Sequence, residues 1–556
     1  MDDISVLIGG KAGFGIDTAS LIIARILNQL GLRIYIYRDY PSLIRGGHTF
    51  SIIRAAPEKV FTHRENIDFL LALNQDAFNF HRGKLKDNAV IIYDSDALKI
   101  EGLAPGQKTV ELPLAKITQE EKAPEITRNT CIIGSFARAA GISWETAEQV
   151  LRKNIGKEID LNLKIARRGF DDAKELRKID AQKQKPLSII TGNDAVSLGL
   201  IKAGLKTYIA YPMTPSSSIL HFLASKAEEF NLKVLHPESE ISVMLMALGS
   251  AFMGEKTAVG TSGGGFCLMT EGLSLAGMSE LPVVIFMGQR PGPSTGLPTY
   301  SSQADLHFVL NAGQGEFTRL VLAPGDPEEA YYLSAFALNL AWRFQVPAII
   351  LSDKNLGEGN FSFDLDSLPK IEEEGPLIWD RKTPYQRYLN TKTGISPLAF
   401  VPDKDAVIKI NSYEHDESGI TTEDAQMTKI MQEKRLRKGR YLLEEIEKHE
   451  TIKVYGNKNA STALICWGSN KGSCIEVALG LDLKVIQPQV LAPFPLEQFR
   501  KAVGGSTKLI CVESNATGQF ARLLNQHGFK IDAQILKYDG RPFSFEELQA
   551  EAEKVL

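Results

Sequence analysis

Four short segments of the chain carry side chains that could bind and activate a small anionic substrate. They are the motif YPMTP at residues 211–215, the acid Glu240, the glycine run at residues 263–265 and the segment RPGPST at residues 290–295. Each segment lies where an apolar, strand-like run gives way to a loop or to the start of a helix. Because ligands bind at the carboxyl ends of the strands in open α/β sheets, we take these segments as the candidate site.

Thr214 and Arg290 have the residue types of a carboxylate receptor. Pro212 and Pro215 restrict the backbone on either side of Thr214 and so fix a hydroxyl donor. Arg290 follows a strand-like run and enters a loop rich in proline and glycine. A guanidinium fork beside a fixed hydroxyl suits a carboxylate. The alternative, a surface loop without a ligand, stays open on these residues alone.

Glu240 precedes a strongly apolar helix predicted over residues 241–252. A carboxylate at the edge of such a helix is partly removed from water and could share a proton with a heterocycle. The alternative is an acid placed at a helix start by the helix dipole. The residues do not separate these two interpretations.

Composition restricts the class of protein. A chain of 556 residues exceeds one hydrophobic core and predicts three or four domains. Its 44% hydrophobic and 23% charged residues are typical of a globular protein, and a formal net charge of -4 argues against nucleic-acid binding. The longest apolar runs fall far short of the roughly 20 residues that span a bilayer, so we expect no membrane insertion.

The cysteines and the start of the chain predict a cytoplasmic location. The sequence begins Met1-Asp-Asp and runs directly into a strand-like segment, without the pattern of a signal peptide. None of the five cysteines forms a CxxC pair, which excludes a local zinc or iron-sulfur motif. We interpret each as a buried small side chain in a reducing compartment; they are Cys131, Cys267, Cys466, Cys474 and Cys511.

Strand-like and helix-like patterns alternate along the chain and predict an α/β fold with three doubly wound βα domains. We place a glycine-rich α/β domain at residues 1–177, a second domain at 188–360, a connecting segment at 361–451 and a third domain at 452–556. A charged, weakly apolar stretch at 174–186 predicts a linker, and Asp194 is a candidate helix cap.

Two further segments leave functional alternatives open. The glycine-rich turn at residues 9–15 could cradle a phosphate at a helix start. Thr18 stands where a dinucleotide fingerprint has its third glycine, so a tight structural turn is the alternative. The polar loop at 45–49, with Arg45 and His48, could contact an anionic ligand or a partner domain. The segment EHDE at 414–417 suggests a metal site, although a solvated loop explains it better.

The motifs together resemble those of 2-oxoacid:ferredoxin oxidoreductases. The segment at 211–215 resembles the family signature YPITP, with Met213 in place of isoleucine. Residues 238–240, 260–265 and 289–299 resemble the family's following segments in the same order, and 513–519 resembles a motif of its last domain. The likeness covers nearly the whole chain. It implies an α subunit with a γ domain fused at its N-terminus, a thiamine pyrimidine-binding domain and a transketolase C-terminal-like domain.

The resemblance assigns roles to the candidate residues. Glu240 would hydrogen-bond the aminopyrimidine of thiamine diphosphate, with Tyr211 and Pro212 beside the cofactor. Thr214 and Arg290, together with Thr299, would hold the carboxylate of the 2-oxoacid. The implied reaction is oxidative decarboxylation of 2-oxoglutarate or a broader range of 2-oxoacids, with coenzyme A taking the acyl group and ferredoxin the electrons.

The chain lacks a clear Mg²⁺ and diphosphate motif. The nearest approach is Gly325-Asp326-Pro327 with Asn355 downstream, and Asp326 reads better as a helix N-cap followed by Pro327 at the first helical position. The resemblance therefore implies a β subunit that supplies the diphosphate and Mg²⁺ sites and a 4Fe-4S cluster, in an αβ heterodimer or a dimer of heterodimers.

Several choices stay open on the sequence. The alternatives to the thiamine enzyme are a dinucleotide-dependent oxidoreductase that uses the N-terminal glycine loop and a non-catalytic scaffold subunit. The sequence does not specify which 2-oxoacid reacts, the physiological electron acceptor, or whether the N-terminal domain binds coenzyme A.

Overall fold

The computed structural model describes residues 3–42 and 47–556. The strands are β1 Ile4–Lys11, β2 Arg33–Asp39, β3 His48–Ala56, β4 Ile67–Ala72, β5 Leu85–Asp94, β6 Lys108–Leu112, β7 Ser188–Thr191, β8 Thr207–Ala210, β9 Lys233–Leu235, β10 Thr257–Ser262, β11 Val283–Gln289, β12 Leu320–Leu322, β13 Pro347–Asp353, β14 Asn360–Phe363, β15 Ile452–Gly456, β16 Thr462–Ile465, β17 Lys484–Pro488, β18 Val490–Ala492, β19 Lys508–Glu513 and β20 Ala533–Leu536.

The α-helices alternate with these strands. They are α1 Ile16–Gln29, α2 Gln75–His81, α3 Leu114–Glu120, α4 Arg128–Ala139, α5 Trp144–Asn154, α6 Ile159–Asp172, α7 Gly192–Lys202, α8 Ser217–Ser225, α9 Ala227–Phe230, α10 Glu240–Phe252, α11 Gly263–Ser279, α12 Leu306–Asn311, α13 Pro327–Phe344, α14 Lys354–Glu358, α15 Ala425–Ile446, α16 Lys471–Leu481, α17 Leu496–Val503, α18 Gln519–Gln526 and α19 Phe545–Val555.

The first compact unit contains Met1–Ile190, Gly359–Asp364 and Phe543–Ala550. Its sheet has the order β6-β5-β4-β1-β3-β2-β14-β7. Strands β1, β4, β5 and β6 are neighbours in that order and run parallel. Strand β3 pairs antiparallel with both β1 and β2. The predicted βα alternation is therefore present, with an antiparallel strand inserted between β1 and β2.

The strand β3 corrects the prediction of a polar loop at 45–49. Arg45 and Gly46 lie outside the described residues, but His48 and Thr49 open β3, where His48 pairs with Lys11 of β1. The apolar run that follows Thr49 is buried from Ser51 to Ala56, and pairing on both sides satisfies its backbone groups. Gly46 and Gly47 directly precede the strand, so the sequence predicted a loop there instead of a strand.

The second compact unit contains Thr191–Glu358, Leu365–Pro542 and Glu551–Leu556. One of its sheets has the order β18-β12-β13-β11-β10-β8-β9, and all neighbours from β12 to β9 are parallel. Strands β8, β10 and β11 are buried along their whole length. This is the pattern of central parallel strands covered on both faces by helices.

The other sheet of the second unit has the order β15-β17-β16-β19-β20, with β15 antiparallel and the rest parallel. The predicted multidomain α/β fold is confirmed, with three sheets that are each built mainly from one predicted βα region. Strands β7 and β14 join the first sheet, and β18 joins the second. The domain boundaries given above stay predictions.

Two predicted helix caps have different outcomes. Asp326 is the N-cap of α13, its side chain accepts from the Glu329 N–H, and Pro327 is the first helical residue, as predicted. At α7 the N-cap is Thr191, and Asp194 is its partner three residues later in a reciprocal capping box. The prediction that Asp194 is the N-cap was wrong by three residues, because Asp194 is the N3 residue of the capping box.

The cysteine interpretation needs one correction. Four of the five cysteines are buried, but Cys267 on α11 is exposed, and all five are free thiols. Its exposure belongs to a helix face that also exposes Leu268. Among the described residues, none of the helices is both long and apolar enough to cross a bilayer.

Candidate active site

The candidate segments meet at one edge of the second unit's parallel sheet. The motif at 211–215 follows β8, the glycine run begins directly after β10, and Arg290 follows β11. These three strands are neighbours in the sheet and parallel, so their carboxyl ends share one edge. Glu240 begins α10, which packs against β8 and β10. The tertiary structure thus brings the sequence-predicted residues to the position where α/β sheets bind ligands.

Glu240 is held against the start of α11. Its side chain is only 4% exposed, and a Cβ placed on Gly265 would lie 2.5 Å from its Oε1 and would overlap Oγ1 of Thr261. Residue 265 therefore has to be glycine for the carboxylate to approach this closely. The Glu240 Oε1 is buried without a hydrogen-bond partner among the described residues. An unpartnered buried carboxylate oxygen is costly to a fold and marks a group that a ligand would satisfy.

Arg290 and the Thr214 loop are joined directly. The Arg290 Nη1 donates to the backbone carbonyl of Thr214 at 3.0 Å. Within the described part of the chain no carboxylate pairs with Arg290, and its buried Nε has no partner. Burial lowers the pKa of Arg290 from its ordinary value, which is the cost of a guanidinium without a counter-ion. An anion bound here would offset that cost.

The other predicted site residues lie in the segments that follow β8 and β11. Tyr211 is 38% exposed, and its ring meets that of His236 edge to face at 5.8 Å between centroids. Pro212 is partly buried. Thr299 is buried at 7% exposure in the segment that follows Arg290. Their proximity to a bound ligand stays a prediction.

Sequence reasoning missed two polar residues at the glycine run. The Oδ2 of Asp305 lies 3.0 Å from the position that a Cβ of Gly263 would take, and burial raises the pKa of Asp305 to about 6. Ser262, the N-cap of α11, makes no capping hydrogen bond, and its fully buried Oγ has no partner among the described residues. No local pattern marks Asp305, because 42 residues separate it from Gly263 and only the sheet brings them together.

The site fits the aminopyrimidine of thiamine diphosphate. The ring needs a carboxylate partner for one nitrogen, and the free Oε1 of Glu240 is a buried oxygen of that kind. This chain does not present Asp326 as a ligand for Mg²⁺, because its carboxylate caps α13 and pairs with the buried Lys471 at 2.5 Å.

The EHDE segment is held by internal contacts. Glu414 binds Arg435 through both carboxylate oxygens, at 2.9 and 2.7 Å, and the Nδ1 of His415 lies 2.8 Å from the Tyr413 carbonyl. In the described ranges, no three His, Cys, Asp or Glu side chains are grouped to hold a metal ion. Internal hydrogen bonds therefore hold this loop, and its Glu414 and His415 side chains are not freely solvated.

Comparison with known proteins agrees with the geometry. Residues 198–435 match the family model described as "Pyruvate flavodoxin/ferredoxin oxidoreductase, thiamine diP-bdg", and residues 5–171 match "Pyruvate ferredoxin/flavodoxin oxidoreductase". The fold, the strand-end site and these models define a subunit of a thiamine diphosphate-dependent oxidoreductase.

Similar full-length proteins specify the family. The α subunit of 2-oxoacid:ferredoxin oxidoreductase from Saccharolobus solfataricus is 30% identical over 614 aligned residues, covering 98% of this chain and 96% of its own. A second α subunit from Aeropyrum pernix is 31% identical, covering 98% and 97%. The solved structure "2-oxoglutarate:ferredoxin oxidoreductase from Magnetococcus marinus with 2-oxoglutarate, coenzyme A and succinyl-CoA bound" has a TM-score of 0.91 at 28% identity and covers 100% of this chain and 99% of that one. The chain belongs to the α-subunit family of 2-oxoacid:ferredoxin oxidoreductases.

Proposed function

We propose that this chain is the α subunit of an enzyme that oxidatively decarboxylates a 2-oxoacid with coenzyme A and passes the electrons to ferredoxin. The observation that carries the proposal is that two side chains at one sheet edge each have a buried polar atom without a hydrogen-bond partner among the described residues. In the part of the chain that the structure describes, the buried Oε1 of Glu240 and the buried Nε of Arg290 have no hydrogen-bond partner, and no carboxylate pairs with Arg290. A cofactor ring and a substrate carboxylate would satisfy them.

Each residue has a distinct task in this proposal. Thiamine diphosphate, when bound, supplies the electron sink for the loss of carbon dioxide. Glu240 would hold a proton between its free Oε1 and a nitrogen of the pyrimidine ring. Arg290 and Thr214 would bind the substrate carboxylate, with Thr299 as a further donor and with Tyr211 and Pro212 beside the cofactor. Binding that carboxylate orients the neighbouring keto carbon.

A partner β subunit completes the proposed site. It would supply the diphosphate and Mg²⁺ sites and the 4Fe-4S cluster, in an αβ heterodimer or a dimer of heterodimers. An exposed apolar surface beside Glu240 supports a partner there. We call it the α10–α11 face and define it by Ile241, Leu245 and Met246 on α10 and Leu268 on α11, which are 41% to 48% exposed. Exposed apolar side chains grouped on neighbouring helices are typical of an interaction site.

The remaining assignments are part of the same proposal. We infer 2-oxoglutarate or a range of 2-oxoacids as substrate, since the solved relative holds 2-oxoglutarate and coenzyme A. We propose a cytoplasmic location, supported by five free thiols. The division into residues 1–177, 188–360, 361–451 and 452–556 is likewise proposed, supported by three sheets that are each built mainly from the strands of one βα region.

The test is turnover by the chain combined with its candidate β subunit, given thiamine diphosphate, Mg²⁺, coenzyme A, ferredoxin and a panel of 2-oxoacids. Glu240→Gln should lower kcat by about 100-fold or more, because a general acid or base contributes at least that much. Arg290→Ala should raise KM for the 2-oxoacid by about 10- to 100-fold, the loss expected for a charged hydrogen bond.

A neighbouring acid provides the control. Glu238 is exposed, lies two residues before Glu240 and accepts from Ser242, so Glu238→Gln should keep the wild-type kcat. If the assembled complex turns over no 2-oxoacid, or if Glu240→Gln matches Glu238→Gln, the assignment is wrong.

A further inference from the structure

We infer that Asn193 is a positioning residue for the substrate carboxylate receptor. Its amide binds the backbone carbonyl of Pro215, the residue after Thr214, whose own carbonyl accepts from Arg290. The inference rests on the proposed function, because it assigns a task to a residue that acts through Thr214. No role for Asn193 was predicted; it lies in the first turn of α7 and is fully buried.

Both amide protons of Asn193 are used on the segment that contains Thr214. The Nδ2 donates to the Pro215 carbonyl at 2.7 Å and to Oγ of Ser218 at 2.7 Å. A carbonyl oxygen only accepts, so the amide nitrogen must face Pro215. The reversed amide would place two acceptor oxygens against each other.

Asn193 is anchored on a rigid support. The start of α7 is fixed by the reciprocal hydrogen bonds of Thr191 and Asp194, each 3.0 Å long. Residue 192 is a glycine, and a Cβ placed there would overlap the Leu356 carbonyl. The two backbones are therefore close, and α7 packs directly on α14. The Asn193 side chain therefore fixes the loop relative to α7.

Every backbone carbonyl from 213 to 215 is bound by a different donor. The Met213 carbonyl accepts from the N–H and hydroxyl of Ser216, at 2.8 and 2.7 Å. The Thr214 carbonyl accepts from Arg290 at 3.0 Å, and the Pro215 carbonyl accepts from Asn193. Of the three donors only Asn193 belongs to an element outside the loop and outside the receptor. Its bond sets where the Thr214 hydroxyl stands relative to the guanidinium.

The experiment compares Asn193→Asp and Asn193→Ala with wild type in the assembled complex. Aspartate keeps the side-chain volume but removes both donors and places a carboxylate against the Pro215 carbonyl. Alanine removes both donors without adding charge. We expect KM for the 2-oxoacid to rise by about tenfold in both variants, while KM for coenzyme A stays within about twofold, because only the carboxylate receptor moves.

A second measurement does not depend on activity. Hydrogen exchange of the isolated chain should accelerate at residues 213–218 in both variants, since the loop loses its outer anchor. Exchange in the core strands β10 and β11 should stay at the wild-type rate. This pattern separates a loosened loop from a destabilised fold.

Two control variants isolate the Pro215 bond. Ser218→Ala removes the other acceptor of Asn193. Leu200→Ala removes a fully buried side chain of α7 two turns after Asn193 and leaves the start of the helix intact. Both should keep the wild-type KM for the 2-oxoacid. An equal rise in Leu200→Ala would show that general stability of α7 is responsible and would overturn the inference.

The result separates this inference from the proposed function. If wild type turns over a 2-oxoacid and both Asn193 variants keep its KM and its exchange at 213–218, the positioning role is refuted and the function stands. A wild-type complex without turnover refutes the function, whereas unchanged loop exchange in the isolated variants refutes the positioning role on its own.

Discussion

At the scale of single residues, the site depends on one missing side chain. Gly265 lies in the first turn of α11, where alanine would normally favour the helix. Its Cα instead faces the carboxylate of Glu240 and the hydroxyl of Thr261, both closer than a Cβ would allow. The position of Glu240 thus depends on a residue that has no side chain.

Gly265→Ala should destabilise the chain and displace Glu240. Overpacking a filled interior costs about 1 to 3 kcal/mol, which exceeds the roughly 1 kcal/mol that alanine gains over glycine in a helix. The free energy of unfolding of the isolated chain measures the first effect, and kcat of the complex measures the second. The adjacent Gly264→Ala is the control, because nothing lies within 4 Å of a Cβ there. A stabilised, fully active Gly265→Ala variant would contradict this account.

At the scale of elements, α15 is fastened to the end of α11 by a buried ionic cluster. Glu280, the residue after α11, is 1% exposed and lies 2.8 Å from Nζ of Lys434 and 2.7 Å from Nζ of Lys438. Burial alone would raise the pKa of Glu280, but the two lysines and Arg387 outweigh it and hold that pKa well below its usual range. Burial lowers the pKa of Lys434 to about 8. The cluster ties the segment after residue 361 to the domain that carries the site.

Glu280→Gln should strongly destabilise the second unit. It leaves two buried ammonium groups without a carboxylate, and breaking a buried pair in this way costs about 3 to 5 kcal/mol. Chemical unfolding of the purified chain measures the change. The matched control is Glu229→Gln, which removes the exposed partner of Lys226 at 2.7 Å and should cost less than about 1 kcal/mol. Equal effects of the two substitutions would refute a structural role for the cluster.

At the scale of the whole molecule, the apolar α10–α11 face lies next to the site. A Cβ on Gly272 of α11 would lie 3.9 Å from Leu245 of α10, so the two helices pack at that point. Leu268 lies one turn before Gly272 on the same helix. Glu240 begins α10, so a partner that covers this face would also approach the carboxylate.

Leu245→Asp should prevent assembly with the β subunit while the isolated chain keeps its fold. Leu245 is 43% exposed, so the charge stays in water in the free chain but would be buried in a complex. Analytical ultracentrifugation of the two-subunit mixture measures assembly, and thermal unfolding checks the fold. Leu479→Asp, at a leucine that is 61% exposed on α16, is the control. Assembly of the Leu245 variant with wild-type affinity would place the partner elsewhere.

The sequence by itself determined the local features. The apolar runs and their glycine and proline boundaries predicted the strands β8, β10 and β11 and the functional segments at their ends. Asp326 was predicted as a helix cap because a cap and its first turn are contiguous in the chain. Motif order was sufficient to indicate the family. The strand and cap signals each lie within about ten residues, where chain geometry links residue type to conformation.

Only the tertiary structure decided which distant residues meet. It placed β3 between β1 and β2, brought Arg290 to the Thr214 carbonyl 76 residues away, and set Asn193 against Pro215. It also exposed Cys267, which the sequence predicted as buried. Strand pairing and helix packing join segments that are far apart in the chain, so no local pattern specifies them. That packing also leaves the Oε1 of Glu240 and the Nε of Arg290 buried without hydrogen-bond partners among the described residues, which no short stretch of sequence predicts.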